Sequence, residues 1–377
     1  MTLLPTGVLW VWLLGLLSLG LMGGGGYLVY GWYEGALAAT GHLAAGLLML
    51  GLALLGRPLV LLCFRPDPDP PRHARVGEFR EMLRPDGTRL HAEVSGPEGA
   101  PVLVFTHGWG NDATQWYYSR RSLCKDYRVI TWDLPGLGRS EPRRDRDYRL
   151  ERMADDLEAV LSAAGGRPAY LVGHSIGGMI SLTLCRLLGK RRGRKVAGLV
   201  LAHTTPANPV RTALFSPPLR RPLGPLLVPL CYLMISLAPL VWLGNWLAYH
   251  NGSLHLQTLL SGFRQPSRAE LDFAARFSAR AWPGVVARGM LGMLRYDLTE
   301  DLRHIRIPAL VIAGSHDPLL PPSRSARVLA KLLPKARYAE LEGASHNGFM
   351  EQHYRFDLLV TEFVKQTESR PSTRTLN

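Results

Sequence analysis

Two long stretches of this 377-residue chain carry almost no charge. Glu34 is the only acidic or basic residue before Arg57, and between Arg221 and Arg264 there is none at all. Acidic residues are scarce elsewhere too, 30 against 44 basic ones, which leaves a formal net charge of +14. Cysteine is limited to Cys63, Cys124, Cys185 and Cys231, far apart and without a CxxC pair. That spacing argues against a disulfide framework or a zinc site and reads as buried thiols in a reducing compartment. Neither a Walker glycine loop nor a nucleic-acid motif accompanies the basic excess, most of it Arg. No nucleic-acid partner is therefore expected, and an anionic membrane surface accounts for the charge. With 47% hydrophobic residues the chain has ample material for a core, which excludes a disordered polymer.

The first charge-poor stretch is long enough for two membrane spans of about 20 residues each, at residues 8–30 and 36–55. Glu34 and Gly35 form the turn, and Trp10, Trp12, Tyr27, Tyr30, Trp32 and Tyr33 fall towards the expected interfaces. The glycines at 23–26 loosen the first span and permit close packing on the second, so a re-entrant first segment is the alternative to a full first crossing. A cleaved signal peptide fits less well, because a basic leader and a short apolar core are both missing. Arg57, Arg65, Arg72, Arg75 and Arg80 follow the second span, so the positive-inside bias puts the rest of the chain on the cytoplasmic side of a plasma or inner membrane. Residues 1–65 are thus read as an anchor, and the Pro-rich residues 66–74 as a stiff linker.

From residue 75 onwards short apolar runs alternate with helical patterns. A hairpin is expected over 79–94 around Pro85-Asp86-Gly87, then buried strands at Val102–Thr106, 127–132, 169–172 and Val196–Ala202, with amphipathic helices at 150–163 and 179–188. Alternation of this kind predicts a doubly wound, mostly parallel α/β sheet. It stops over about 204–290, a Pro-rich and aromatic insertion without a clear strand. It resumes with 309–313, 323–333, 338–341 and a closing helix over 348–365, and a polar tail occupies 366–377.

One turn in this alternation organises the rest. Gly173-His174-Ser175-Ile176-Gly177 lies between a strand and a helix, the context in which GxSxG lifts a serine hydroxyl clear of a sheet. Three further motifs share the chain with it: His107-Gly108-Trp109-Gly110, Gly314-Ser315-His316-Asp317-Pro318 and Gly343-Ala344-Ser345-His346. Together and in this order they resemble the α/β-hydrolase fold over residues 75–365. The resemblance implies an eight-stranded, mostly parallel sheet with 204–290 inserted as a cap. It implies Ser175 as nucleophile, His346 as base, Asp317 as the carboxylate orienting that base, and the backbone amides of Trp109 and Ile176 as the oxyanion hole.

The chemistry asks for these residue types. A serine hydroxyl needs a base within hydrogen-bond reach, and an imidazole needs a partner that fixes its tautomer. His304, His316 and His353 are rival bases, and Asp297 and Asp301 rival carboxylates. His107, His174 and Asp133 are read as shaping their turns. Relatives that open epoxides or displace halide carry Asp where Ser175 stands, so Ser175 points to acyl transfer to water. Residues 223–249 of the cap offer mainly Leu, Val, Pro, Trp and Tyr, interrupted by Pro225, Pro229 and Pro239. They suit a hydrophobic ester or lipid as substrate and contact with a bilayer, unless they merely pack the cap's own core. A carbon-carbon hydrolase of ring-cleavage products and a non-enzymatic binding protein are the alternatives. No metal, organic cofactor or obligate protein partner is expected.

Overall fold

In the computed structural model, which describes residues 4–189, 195–212 and 217–369, eight strands form one sheet. They are β1 (Glu78–Leu83), β2 (Arg89–Ser95), β3 (Val102–Thr106), β4 (Arg128–Trp132), β5 (Ala169–His174), β6 (Val196–Ala202), β7 (Ala309–Gly314) and β8 (Ala336–Leu341). Their spatial order is β1-β2-β4-β3-β5-β6-β7-β8. β2 runs antiparallel to both of its neighbours, and all the remaining pairs are parallel. β3, β5 and β7 are buried at every position, as strands covered by helices on both faces must be. The parallel register sets Thr106 beside Gly173 and His174 beside Ala202, so the chain leaves β3, β5 and β6 along a single edge. In open α/β sheets the crevice beyond the strands' carboxyl ends is where ligands bind.

The insertion between β6 and β7 is helical throughout its regular elements. The helix Pro217–Ser236 meets the helix Ala238–His250 at Leu237, and the segments 226–236 and 238–250 are bent by 91°. Pro225 and Pro229 therefore do not interrupt the first helix, contrary to the sequence reading. The break comes at Leu237, and Pro239 sits in the first turn of the next helix, where its missing N–H is of no consequence. Helices Ser253–Gly262, Arg268–Arg280 and Pro283–Leu294 complete the cap.

The N-terminal charge-poor stretch forms two helices, Leu4–Tyr33 and Thr40–Leu62, packed on each other. The first is continuous through the four glycines. Gly25 and Gly46 face each other so closely that a Cβ on either would lie 2.9 Å from the other's carbonyl oxygen, which explains why small residues stand there. The second helix begins four residues later than expected and runs on past Arg57 and Pro58. Arg57 lies within it, with Nε and one terminal N–H of its guanidinium held by Asp272 of the cap at 2.7 Å each. Both N-terminal helices lie against the helix Ala238–His250, and Asn251 donates to the buried Ser18 hydroxyl.

Other boundaries also moved. Residues 66–74 lack regular structure, as expected, but they do not stand off as a spacer. Asp67 accepts from Ser267 (2.7 Å), and His73 bonds Thr114 (3.0 Å) while stacking on Phe273, so the segment lies along the domain. The helix expected over 150–163 is Leu150–Val160 followed by a 3-10 turn. The closing helix is broken at Gln352 into Gly348–Glu351 and His353–Glu368, and it takes in the first residues of the expected tail. The tail's residues 370–377 lie outside the described residues. Of the four thiols, only Cys185 and Cys231 are buried, whereas Cys63 is exposed at the end of its helix and Cys124 is half-buried.

Candidate active site

Ser175 follows β5 directly and precedes the helix Ile176–Leu188. Its φ of 53° and ψ of −119° are strained for a residue with a side chain, and that strain persists only where neighbours enforce it. They do. The Ser175 N–H donates to Ala202 O at 2.9 Å, and its carbonyl accepts the Thr204 hydroxyl at 2.6 Å. The flanking glycines answer a packing demand: a Cβ at 173 would lie 2.4 Å from the Gly177 carbonyl carbon, and one at 177 would lie 2.3 Å from Thr106 O. Ser175 itself, and neither glycine, carries the unusual φ.

His346 and Asp317 arrive from the loops after β8 and β7. His346 Nδ1 and Asp317 Oδ2 are 2.7 Å apart, and both residues are buried. A carboxylate holding Nδ1–H leaves Nε2 as the nitrogen able to take a proton. Burial alone would raise the Asp317 carboxyl, but the His346 and His203 imidazoles outweigh it and hold it well below the usual carboxylate range. Asp317 Oδ1 also accepts the N–H groups of Leu319 and Leu320, both at 2.9 Å, so its orientation is fixed from two sides.

Two more histidines, His203 and His174, frame this pair, and a third, His107, braces the turn after β3. His203, at φ 48° just after β6, takes the Gly314 N–H on Nδ1 at 3.2 Å and touches Asp317 Oδ2 at 3.6 Å. His174 Nε2 donates to the His346 carbonyl at 3.0 Å. His107 Nε2 accepts the Leu134 N–H at 2.9 Å, which leaves Nδ1 to donate to Gly108 O. Burial pushes the pKa of all three down, so they stay neutral and serve as braces. Among the described residues, His203, Asp317 and His346 also form a group whose donor atoms lie within 4.8 Å of one another. Their donors are turned on each other and on the Gly314 N–H.

Trp109 lies in the turn after β3. Its indole donates to Val286 O of the cap at 2.9 Å, and the turn is fixed by Gln115, whose Oε1 accepts from Gly108 N (3.1 Å) and from the Asn111 side chain (2.7 Å). Among the described residues no acceptor faces the main-chain N–H of Trp109 or of Ile176. Ser175, His346 and Trp109 all line one cavity of about 320 Å³, bounded on the cap side by Phe277, Val286 and Met290, with no Lys or Arg among the described residues that line it.

The sequence model of the alpha/beta hydrolase family matches residues 103–356, two thirds of the chain and all of this site. The chain belongs to that family. It is 27% identical over 267 residues to a protein provisionally named carbamate hydrolase RutD from Pseudomonas savastanoi, covering 70% of this chain and 94% of that one. It is 25% identical over 289 residues to 3-oxoadipate enol-lactonase 1 from Acinetobacter baylyi, covering 75% and 95%. A thermophilic esterase from Thermogutta terrifontis superposes with a TM-score of 0.62 at 25% identity, over 77% of this chain and 99% of the other. This chain's hydrolase fold is shared along nearly the whole length of each.

The rival candidates fall outside the cavity. His353 stacks on Tyr118, His316 bonds Ser315 in an exposed loop, and His304 sits in a 3-10 turn before β7. Asp297 pairs with Arg211, and Asp301 precedes that same 3-10 turn. Asp133 accepts the N–H groups of Ala113 and Arg139 and pairs with Arg75. Sequence reasoning missed His203 and Gln115. The only signal for His203 was its place directly after an apolar strand run, the same place Ser175 holds after β5.

Proposed function

We propose that this hydrolase is a membrane-anchored serine esterase that cleaves hydrophobic carboxylic esters through an acyl-enzyme. The observation carrying the reading is the strained Ser175 sharing an apolar cavity with a carboxylate-held imidazole. In the reaction His346 Nε2 takes the Ser175 proton as Oγ attacks the ester carbonyl, and the oxyanion is met by the Trp109 and Ile176 amides. The tetrahedral intermediate expels the alkoxide, which leaves with the proton from His346. Water, deprotonated by the same imidazole, then releases the carboxylic acid and restores the hydroxyl. Loss of an oxyanion donor in such sites slows the reaction by about 10²–10³.

Two relatives named for cleaving a lactone and a carbamate fit a chain that attacks an acyl carbon. A carbon-carbon hydrolase acting on small dicarboxylates would want a cation in the pocket, and the described residues of its lining offer none. Membrane anchoring is supported by the helix Thr40–Leu62, long and apolar enough to cross a bilayer, and by the exposure of large apolar side chains on the N-terminal and cap helices, such as Leu16, Leu48, Leu55, Leu233, Leu240 and Trp242. A chromogenic ester series from acetyl to palmitoyl, with Ser175→Ala as blank, tests the reading. Ser175-dependent turnover supports it. Equal rates in both proteins, with no labelling of the wild type by a fluorophosphonate, would overturn it.

A further inference from the structure

The cavity at Ser175 shares part of its wall with a second space inside the cap. Trp109, Gln257, Ser278 and Val286 line both, and the second space, of about 180 Å³, is walled further by Met234, Leu254 and Pro283. Val241 and Asn245, on the helix Ala238–His250, close the far side of that space. The same two residues form the inner wall of a groove of about 260 Å³ between that helix and the N-terminal helix, lined otherwise by Gly15, Leu16, Leu19, Leu237, Leu240 and Gly244. The groove exists because the two helices touch backbone to backbone: a Cβ on Gly15 would lie 3.2 Å from Gly244 Cα. Beyond it Leu16, Leu237 and Leu240 are exposed.

We infer that these three spaces are one acyl-chain path, running from Ser175 through the cap to a mouth between the N-terminal helix and the helix Ala238–His250, with Val241 and Asn245 as its gate. The occupant is the long acyl chain of an ester embedded in a bilayer, which reaches the serine sideways without first dissolving in water. The inference rests on the esterase reading. Chemistry favours this occupant, since among the described residues lining the groove Asn245 alone has a polar side chain, and a saturated chain gains about 0.8 kcal/mol per buried methylene there. The gate is weakly closed as well. Asn245 makes one long bond, Nδ2 to Ser278 O at 3.4 Å, and its Oδ1 is buried without a partner. The Asn245 side chain can therefore swing aside without breaking a strong bond, with the helix backbone left in place.

The test uses the full chain in nanodiscs. Val241→Trp fills the gate, so kcat/KM for a palmitoyl ester should fall at least tenfold while that for a butyryl ester stays within twofold. A parallel fall on both esters, or on neither, overturns the path. Val241→Phe, with an unchanged melting temperature, guards against a folding defect. A second readout does not require turnover: palmitate carrying a terminal diazirine, photolysed in the nanodisc, should crosslink within residues 234–245. Crosslinks confined to the outward faces of the N-terminal helices overturn the path even if no ester is hydrolysed. Butyryl turnover that depends on Ser175, with palmitoyl insensitive to Val241→Trp, leaves the esterase reading standing and removes the path alone.

Discussion

Gln115 shows how a single side chain acts through its neighbours. Its Oε1 holds the Gly108 amide and so sets the angle at which the next amide, that of Trp109, faces the cavity. Gln115→Leu should lower kcat by roughly tenfold with KM little changed, because the interaction lost is one made mainly in the transition state; steady-state kinetics on a short ester reads the split. Asp357 makes a different point. Burial pushes its carboxyl up from the ordinary 3.8 to about 6, against the pull of the Ser119 and Ser122 hydroxyls. A raised carboxyl stabilises the fold fully below pH 3.8, and that stability drains away as pH rises through 6, above which a charge is forced into the interior. Asp357→Asn should therefore stabilise the protein by about 3 kcal/mol at pH 7.5 and change little near pH 3.5, as measured by denaturant unfolding at the two pH values.

At the level of elements, the strands and the four motif loops were legible in the sequence because their causes are local. An apolar run covered on both faces reads as a buried strand, and a serine between glycines reads as a sharp turn. What could not be read has partners far along the chain. The second N-terminal helix continues through Arg57, whose partner Asp272 lies 215 residues away, and His203 gains its role only when β7 brings Gly314 and Asp317 beside it. The sequence likewise offered Pro225 and Pro229 as breaks when the chain turns at Leu237. Asp272 binds Arg57, His255 (3.0 Å) and Tyr249 (2.9 Å) at once, so its removal strands a half-buried cation. Asp272→Ala should cost about 2 kcal/mol, less than a fully buried pair because Arg57 retains some water, and Asp272→Asn should cost less again; thermal unfolding in detergent compares them.

For the whole molecule, the positive-inside bias predicts an orientation for the proposed anchor. Cys63 is exposed where the second N-terminal helix ends, next to Arg65 and the start of the hydrolase fold. With Cys124→Ser as background, an impermeant maleimide should label Cys63 in inside-out bacterial membrane vesicles and not in intact cells. Labelling of intact cells would place the hydrolase domain on the outer side. Fluorescence on a gel gives the result directly.

The bidentate contact between Arg57 and Asp272 carries a kinetic consequence for an enzyme of this kind. It ties the cap to the second N-terminal helix, so the cap over Ser175 does not swing away without breaking that pair. On the proposed reading, in which those helices sit in a bilayer, the hydrolase meets its substrate in two dimensions, and its Michaelis constant is a mole fraction in the lipid phase. Adding inert lipid at fixed total ester would slow it by surface dilution, and stirring in more water would not.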